Sequence, residues 1–392
     1  MNLLFLSGWF PFPPSNGSKL RIYNLLRWLA RRHQVTLITF SEQPIPAIPP
    51  ELDAVCSAVH ALPWKEYSPA SAKARFGYFR LTPRAFLDTY QSAMEHLIRK
   101  ILAERRFDLV IASQWRTAVY WRAFRQIPAI FEEVELGVFD QLRRENPSGK
   151  NRLRYALTWV KLVAYMRRIL PNFQAATLVS HAEAALFRRA VPDYEKVVLI
   201  PNCVDPGQDA PCERSPDPYG LVFTGSLTYA PNYQAMEWFV REVLPVIQAE
   251  IPQTSLIITG DPGQRGLPES RNVRLAGMVA DLRPVFAGAA VSVAPLFSGG
   301  GTRLKILEAM VNCVPVVSTR KGAEGLEVEH GRSIQLADTA QDFARAVIDL
   351  LTSPSRRENM AAIARRLVVD RYNCEQVMTG FERLMLDCVP NT

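Results

Sequence analysis

The chain lacks the long apolar segments and the cysteine and histidine patterns that define several protein classes. No run of about 18 apolar residues occurs among its 392 residues, which predicts that no helix spans a membrane. The six cysteines are scattered without a Cys-x-x-Cys pair, and the five histidines show no metal-ligand spacing. The cysteines are therefore interpreted as reduced thiols of a cytosolic protein, and neither a disulfide framework nor a zinc site is expected.

The beginning of the chain and its length indicate a globular protein of two domains. The apolar run Leu3–Ser7 has no basic flank and stops before a proline cluster, which predicts a first β-strand instead of a signal peptide. Internal repeats and low-complexity tracts are absent from the sequence. Because 392 residues are too many for one ordinary core, we expect two domains of about 150–200 residues.

Positive charge is concentrated in the first half of the chain. Residues 1–200 carry a net charge of +12 and residues 201–392 a net charge of −4. Residues 141–170 contain eight basic residues and one acidic residue, with Trp, Tyr and Leu interleaved. This pattern is typical of a helix on an anionic membrane, and equally of a solvated helix whose apolar side faces its own core; both interpretations stay open. No nucleic-acid partner is expected, because no recognition module is visible and the second half is acidic.

Apolar runs of strand length alternate with helical patterns through both halves, which predicts parallel sheets covered on both faces. In the first half the strands are predicted over Leu3–Ser7, Val35–Phe40, Phe107–Ser113, Ala129–Glu132, Ala176–Ser180 and Val197–Ile200, and the helices over Lys19–Arg32, Gln91–Arg105 and Ala182–Ala190. In the second half the strands are predicted over Leu221–Gly225, Leu256–Gly260, Val273–Gly277, Val291–Leu296, Pro315–Ser318 and Ile334–Leu336, and the helices over Asn232–Glu250, Thr302–Val311 and Thr339–Leu351. The proline-rich segment Pro201–Tyr219 has no periodic apolar pattern and is predicted to link the two domains.

A glycine triplet at 299–301 separates a predicted strand from a predicted helix. Unpaired backbone N–H groups and the helix dipole make such a turn an anion site. Arg303 and Lys305 add two positive charges, and Glu308 follows about one turn later. A carboxylate beside a phosphate cradle suits the hydroxyl groups of a ribose, so the segment predicts a nucleotide site. The alternative is a tight turn that uses glycine for its positive φ. A nicotinamide oxidoreductase is disfavoured, because the third glycine of G-x-G-x-x-G is missing.

In order and spacing, several motifs together resemble the retaining glycosyltransferases of the GT-B fold, family-4-like (group 1). They are the segments Pro13–Ser18, Val197–Asp205, Val222–Gly225, Gly299–Met310, Pro315–Val317 and Gly322–Gly325. The likeness covers nearly the whole chain, and the segment Gly225–Pro245 resembles the branch that builds bacterial exopolysaccharides and surface glycans.

The resemblance implies an α/β protein of two Rossmann-like, doubly wound domains that face each other across a cleft. Residues 1–200 would then form the acceptor-binding domain and residues 201–372 the domain that binds the nucleotide sugar. The terminal helix, predicted over residues 373–388, would pack back on the first domain.

The resemblance also assigns roles in donor binding. Such enzymes usually hold two glutamates seven residues apart; Glu308 matches the second, which binds the ribose, and Gly300 stands in place of the first. Many relatives carry an Arg and a Lys after the first strand of the second domain, and Gly225–Tyr229 has neither. Arg303 and Lys305 are expected to neutralise the diphosphate instead. The donor-binding residues are predicted to be Gly17, Ser18, Gly225, Gly299, Gly300, Gly301, Thr302, Leu304 and Glu308.

In the first domain, the resemblance places an acidic residue or a histidine on the loop after the fourth predicted strand. The matching segment Phe131–Gly137 offers three carboxylates, and Glu133 is ranked above Glu135 as the residue that polarises the acceptor hydroxyl; a solvated loop charge is the alternative. Ser18, beside Gly17, is predicted to be the N-cap of the first helix.

The sequence therefore predicts transfer of a sugar from a nucleoside-diphosphate sugar to a hydroxyl of a glycan or polyprenol-linked acceptor, in the cytoplasm or on the inner face of the cell membrane. The nucleotide sugar is the donor substrate, and no cofactor is expected. Because the sequence has no Asp-x-Asp triplet, we expect no divalent metal. A catalytically degenerate scaffold subunit of a polysaccharide assembly complex and a sugar-nucleotide epimerase of the same fold remain alternatives.

Overall fold

Two compact units make up the protein. The computed structural model describes residues 1–44, 47–144, 149–207, 214–268, 270–299 and 303–389. The N-terminal unit contains residues 1–200 and the segment from Met378 onward, and the C-terminal unit contains Pro201–Val377. The last helix therefore begins in the C-terminal unit and ends in the N-terminal unit.

A seven-stranded parallel sheet organises the N-terminal unit. Its strands are β1 (Asn2–Ser7), β2 (Gln34–Ser41), β3 (Ala58–Pro63), β4 (Leu109–Ser113), β5 (Ala129–Glu132), β6 (Ala175–Leu178) and β7 (Val197–Leu199). The order in the sheet is β3-β2-β1-β4-β5-β6-β7. From the adjacent pair β1 and β4 the chain proceeds outward in both directions, which makes this pair the switch point of a doubly wound sheet.

The helices of this unit cover both faces of its sheet. They are α1 (Gly17–Leu29), α2 (Pro50–Asp53), α3 (Ala72–Phe76), α4 (Arg84–Thr89), α5 (Ser92–Glu104), α6 (Trp115–Ala118), α7 (Gly137–Arg144), α8 (Gly149–Ile169) and α9 (His181–Ala190), with 3-10 turns at Gly77–Phe79, Trp121–Ala123 and Leu170–Asn172. Strands β1 and β4 are buried apart from the first residue of β1, because apolar side chains on both faces meet helices.

A six-stranded parallel sheet organises the C-terminal unit. Its strands are β8 (Gly220–Thr224), β9 (Ser255–Thr259), β10 (Val273–Gly277), β11 (Val291–Ala294), β12 (Val316–Ser318) and β13 (Gln335–Leu336). The order is β10-β9-β8-β11-β12-β13, so the switch point lies between β8 and β11. The remaining helices are α10 (Ala230–Trp238), α11 (Leu244–Glu250), α12 (Arg283–Ala287), α13 (Leu304–Val311), α14 (Ala340–Thr352), α15 (Pro354–Arg371) and α16 (Cys374–Cys388).

The predicted fold class of two Rossmann-like, doubly wound parallel α/β sheets is confirmed, and the differences lie in single elements. The helix predicted over Asn232–Glu250 is divided into α10 and α11 by a π-helical turn at Phe239–Val243. Pro245 explains the division, because a proline inside a helix lacks the N–H group that would bond to the preceding turn. Strand β3 and helix α15 are absent from the predictions, since β3 is only half-buried and α15 has a narrow apolar stripe.

The first helix begins differently from the prediction. Asn16, and not Ser18, is the N-cap of α1: its side-chain oxygen accepts a hydrogen bond from the N–H group of Lys19 at 3.0 Å. Gly17 and Ser18 lie in the first turn of the helix, with Gly17 exposed. Asparagine and serine both serve as N-caps, so residue type alone does not decide between two such candidates two residues apart.

The interpretation of all cysteines as reduced thiols is wrong for two of them. Cys203 and Cys374 form a disulfide bond. Beside it, the N–H group of Val204 donates to the carbonyl of Tyr372 at 3.0 Å, and the N–H group of Cys374 donates to the carbonyl of Val204 at 2.9 Å. The two cysteines are 171 residues apart in sequence, so no local spacing could reveal the pair.

No helix in the described part of the chain combines the length and the apolar character needed to cross a membrane.

Candidate functional site

The first group of predicted site residues lies at the carboxyl edge of the C-terminal sheet, at its switch point. Strand β8 ends at Thr224 and its neighbour β11 ends at Ala294. Gly225 directly follows β8, and Gly299 follows β11 by five residues. In doubly wound sheets this crevice is the usual place for ligands, because the loops from the two strands diverge there.

Gly225 allows a close packing of two loops. It adopts φ +139°, a conformation that side chains rarely tolerate. On the neighbouring loop, a Cβ atom added to Gly260 would lie 2.6 Å from the carbonyl carbon of Gly225 and from the nitrogen of Ser226. The loops after β8 and β9 therefore pack backbone against backbone, and a side chain on either glycine would displace its neighbours.

Lys305 extends from α13 to the end of β8. Its Nζ atom donates a hydrogen bond of 2.9 Å to Oδ1 of Asn232 and lies 3.8 Å from the centroid of the Phe223 ring. A Cβ atom added to Gly225 would lie 2.8 Å from the same Nζ atom. The ammonium group thus stands beside the loop where the sequence lacks the arginine and lysine of many relatives.

The position of Lys305 destabilises its protonated form when no anion is bound. Burial lowers the pKa of Lys305 well below the ordinary lysine value, and the positive charge of Arg303 lowers it further. The negative charge of Glu308, one turn further along α13, opposes both effects. An anion bound next to the amine would stabilise its protonated form, so this lysine is suited to a phosphate ligand.

Arg303 is buried and contacts the backbone at the start of the glycine triplet. Its Nη2 atom donates to the carbonyl of Gly299 at 2.7 Å and to that of Ser298 at 3.3 Å. Gly299 has φ +101°, and a Cβ atom there would lie 3.0 Å from the hydroxyl of Tyr229. The structure shows Arg303 bonded to the backbone at Ser298 and Gly299; its direct contact with a phosphate stays a prediction.

The other predicted donor-binding residues on this segment lie at the start of α13. Leu304 is buried as its first residue, and Glu308 is half-buried one turn after Lys305. Gly300, Gly301 and Thr302 lie outside the described residues.

The second group lies at the carboxyl edge of the N-terminal sheet. Gln114 directly follows β4 and Glu133 directly follows β5, and both have positive φ values, +65° and +56°. Nε2 of Gln114 donates to the Glu133 carboxylate at 2.7 Å, and the hydroxyl of Thr177 accepts from the Glu133 N–H group at 2.9 Å. A positive φ strains the backbone of both residues, which lie side by side at the ends of neighbouring strands. Strain of this kind clusters at functional sites.

Beneath Glu133 lies a buried ion pair. Nε of Arg21, on α1, donates to Oε1 of Glu132 at 2.7 Å, and the Ser113 hydroxyl donates to Oε2 at 2.7 Å. Burial, and then the negative charge of Glu132, raise the pKa of Glu133 to about 8, although Arg21 opposes them. Since Arg21 lies one turn after Gly17 and Ser18, the same ion pair ties α1 to the edge that carries Glu133.

An aromatic pair borders this edge on the side of β1 and β3. Trp9 and Trp64 are stacked with their ring centroids 4.5 Å apart, and the guanidinium of Arg116 lies 3.4 Å from the centroid of the Trp64 ring. Arg116 also donates to the carbonyl of Lys65 at 3.1 Å. Trp64 thus has Trp9 on one face and the Arg116 guanidinium on the other, and half-buried aromatic rings with polar groups beside them are suited to a small-molecule ligand.

Sequence reasoning missed the side chains that hold the candidate residues in place. Asn232 positions Lys305, Gln114 bonds to Glu133, and Arg21 neutralises Glu132. Asn232 lies in the segment Gly225–Pro245, which carried part of the resemblance, but the resemblance gave it no role. The other two give no local signal, since each bonds across neighbouring elements.

Similarity to known proteins extends over most of the chain. A model of the glycosyl transferase 4-like domain matches residues 16–203, and a model of the glycosyl transferases group 1 matches residues 218–353. An uncharacterized protein in the cps region of Klebsiella pneumoniae is 26% identical over 172 residues, which are 41% of this chain and 44% of that protein. The match thus spans less than half of the length of this relative.

Solved structures share the fold at low sequence identity. HepE of Anabaena, in complex with UDP and glucose, has a TM-score of 0.67 and 16% identity, covering 97% of this chain and 98% of its own. Sucrose-phosphate synthase of Thermosynechococcus elongatus has a TM-score of 0.73 and 18% identity, covering 99% of both chains.

Proposed function

Because the chain belongs to the group 1 glycosyltransferases and has their GT-B type of fold, we propose that it transfers a glycosyl unit from a nucleoside-diphosphate sugar to a hydroxyl of a glycan or polyprenol-linked acceptor, with retention of the anomeric configuration. A relative in a cps region supports a role in surface polysaccharide synthesis. The UDP and glucose in the HepE structure make UDP-glucose the first donor to test.

One observation carries the proposal: the amine of Lys305 lies between Gly225, Asn232 and the Phe223 ring at the switch point of the C-terminal sheet. Among the described residues the printed hydrogen bond of its Nζ atom goes to a neutral amide, and a lysine held in this way suits the diphosphate of a nucleotide sugar. In our proposal Lys305 binds the diphosphate, Arg303 keeps the glycine turn in shape, and Glu308 accepts hydrogen bonds from the ribose hydroxyls.

The transfer itself needs no nucleophile from the protein. The bond from the anomeric carbon to the diphosphate breaks, and a bond from the acceptor oxygen to the same face of that carbon forms. The proton of the acceptor hydroxyl passes to the leaving diphosphate. Lys305 stabilises the negative charge that develops on this leaving group, and we expect no divalent metal to be required for it.

The N-terminal unit is proposed to bind the acceptor. Glu133, with its raised pKa and fixed orientation, would polarise the acceptor hydroxyl. The face of Trp9 turned away from Trp64 would offer a flat surface for an acceptor sugar, because the faces of Trp64 are taken by Trp9 and Arg116. For a polyprenol-linked acceptor, the enzyme would work at the inner face of the cell membrane.

The test combines binding and turnover. UDP and UDP-glucose are expected to raise the Tm of the wild-type protein, because a ligand that binds only the native state stabilises it. Lys305→Ala and Glu308→Ala should each lower kcat/KM by about 10²-fold or more, the effect of losing one charge-stabilising contact. Arg356→Ala serves as the control, since Arg356 pairs with Asp349 on the exposed surface.

Unchanged turnover in both site variants, with Tm values like that of the wild type, would contradict the assignment of the site. A Tm increase with nucleotide sugars but no transfer from any of a panel of donors would instead favour a scaffold subunit.

A further inference from the structure

Aromatic and aliphatic side chains project into solvent around α3 of the N-terminal unit. Phe76 ends α3, Tyr78 and Phe79 lie in the following 3-10 turn, and Leu81 comes two residues later. All four are exposed, and Phe79 is 87% exposed, the highest value among the large apolar residues of the described chain. Four neighbouring exposed apolar side chains are unusual on the surface of a globular protein, and such a patch marks an interaction site.

The exposed side of α8 continues this feature. Leu153, Leu157 and Val160 follow the spacing of one helix face, and each is more than half exposed. The opposite face of α8 packs into the core through Leu162, Met166 and Ile169, which are fully buried. The core therefore contacts the opposite face of α8, and Leu153, Leu157 and Val160 lie outside the core.

One lysine joins the two segments into a single surface. Nζ of Lys161, the residue after Val160, donates to the carbonyl of Gly77 at 3.0 Å and to that of Tyr78 at 2.8 Å. The 3-10 turn is thereby attached to the middle of α8. We call the exposed side chains of residues 76–81 and of Leu153, Leu157 and Val160 the docking face.

Hydrogen bonds from neighbouring residues keep the aromatic segment in place. The carboxylate of Asp88, itself fully buried, accepts hydrogen bonds from the Ser68 N–H group at 2.8 Å and from the Ser71 hydroxyl. Arg84 donates to the carbonyls of Ala74 and Pro69 at 2.7 and 2.9 Å. The exposed rings are thus presented by a braced segment, so binding through them requires little further ordering.

Within the two segments that form the docking face, every charged residue is basic. Residues 67–87 contain four basic residues and residues 151–169 contain five, and neither segment contains Asp or Glu. The basic residues that are exposed near the apolar side chains are Lys73, Arg75, Arg80, Arg152 and Arg154. Apolar side chains ringed by cations match a bilayer with anionic headgroups, in which rings enter the boundary layer and cations stay at the phosphates.

We propose that the docking face binds an anionic lipid bilayer, with Phe76 and Phe79 as the inserting side chains. This inference deepens the membrane location given under the proposed function. It adds residues 76–81, outside the basic stretch 141–170 of the sequence, as the part that enters the membrane. Lys161 connects the two parts.

The experiment measures binding to vesicles by co-sedimentation. Wild-type protein should bind vesicles of equal parts phosphatidylglycerol and phosphatidylcholine, and not vesicles of phosphatidylcholine alone. Binding should weaken in about 0.5 M salt, because salt screens the attraction of exposed charges. Phe76→Ser/Phe79→Ser should weaken binding to the anionic vesicles by about tenfold or more, since two rings lose their transfer from water.

A matched control comes from the other unit. Leu275→Ser/Met278→Ser removes two apolar side chains that are about half exposed and should leave vesicle binding unchanged. The Tm increase with UDP should be the same in the Phe76→Ser/Phe79→Ser variant and the wild type, which separates loss of docking from unfolding and from failure of the donor site.

Three results would overturn the proposal: no binding of the wild type to anionic vesicles, equal binding by the phenylalanine variant, or a wild-type dimer that this variant abolishes. The last result, measured by sedimentation without lipid, would identify the docking face as an interface between copies of the chain.

Discussion

At the scale of single residues, Glu133 at the carboxyl edge of the N-terminal sheet has an unfavourable backbone conformation and a pKa far from its ordinary value. Glu133 has a positive φ, a bond from Gln114 and a raised pKa, and it stands next to the buried pair of Glu132 and Arg21. The alternative predicted from the sequence, a solvated loop charge, would have the ordinary pKa of a glutamate. The residue therefore stores both backbone strain and electrostatic repulsion, which folding of the rest of the unit must offset.

The pH dependence of stability tests the environment of Glu133. Its pKa is about 8 when folded and near 4.5 in an unfolded chain, so the folded state binds more protons between these values. The stabilising contribution of the protonated carboxyl is full below about pH 4.5 and is lost as the pH rises through about 8. Glu133→Gln should remove this loss, so that the variant gains stability relative to the wild type as the pH rises.

The free energy of unfolding, measured by urea denaturation across this range, gives the comparison. The exposed Glu51→Gln substitution is the control and should show a constant difference from the wild type. A constant difference for Glu133→Gln as well would show that Glu133 is an ordinary solvated carboxylate.

At the scale of elements, the candidate donor site depends on two loops and two helices that meet in one place. The loop after β8 supplies Gly225, α10 supplies Asn232, the loop after β9 supplies Gly260, and α13 supplies Lys305. Because β8 is a central strand of the sheet, its carboxyl end is surrounded by these loops. The glycines remove side chains where the loops meet, and the lysine fills the space from α13.

Substitution of Gly225 tests this arrangement. Gly225→Ala places a Cβ atom 2.8 Å from Nζ of Lys305 and 2.8 Å from Nδ2 of Asn232, so the amine must move. We expect the affinity for UDP to fall by about tenfold or more, as for loss of a charged hydrogen bond. Isothermal titration of each variant with UDP measures it.

The control is Gly277→Ala, which has a positive φ of +69° and no atom within 4 Å of the added Cβ. It should lose about 1–2 kcal/mol of stability to backbone strain and keep its affinity for UDP. Equal UDP affinities of the two variants would show that the position of the amine beside Gly225 does not matter for binding.

At the scale of the whole molecule, a disulfide bond joins the two segments through which the chain enters and leaves the C-terminal unit. The unit begins at Pro201 and ends at Val377, and the disulfide joins Cys203 to Cys374, close to both ends. Nearly the whole unit is thus enclosed in one covalent loop. In the chain-entropy description, a crosslink of this kind stabilises by restricting the unfolded chain, and a long loop gives the larger effect.

Reductant should therefore destabilise the wild-type protein. The expected loss in the free energy of unfolding is at most about 5 kcal/mol for a loop of 171 residues. Thermal unfolding with and without dithiothreitol measures it, and Cys203→Ser/Cys374→Ser should not respond to the reductant. Cys56→Ser, which removes a buried free thiol, should keep the response of the wild type. Identical wild-type curves in both conditions would mean that the link contributes nothing to stability.

Much of the architecture was readable from local patterns. Buried parallel strands give continuous apolar runs, so the runs at Ala129–Glu132 and Val273–Gly277 gave those strands to the residue. The interruption by Pro245 was equally available in the sequence, although the helix there was predicted as continuous. Half-buried elements such as β3 were missed because their pattern is weak.

For the candidate site, only features that are local in the chain could be predicted from the sequence. The sequence by itself determined that a helix carrying Lys305 and Glu308 follows the glycine triplet, because its apolar period is local. The tertiary structure alone decided that Lys305 meets Asn232, 73 residues away, that Gln114 meets Glu133, and that Cys203 meets Cys374. The physical reason is the order of strands in each sheet: it brings together loops that are remote in sequence, and side-chain contacts between them leave no periodic trace in the chain.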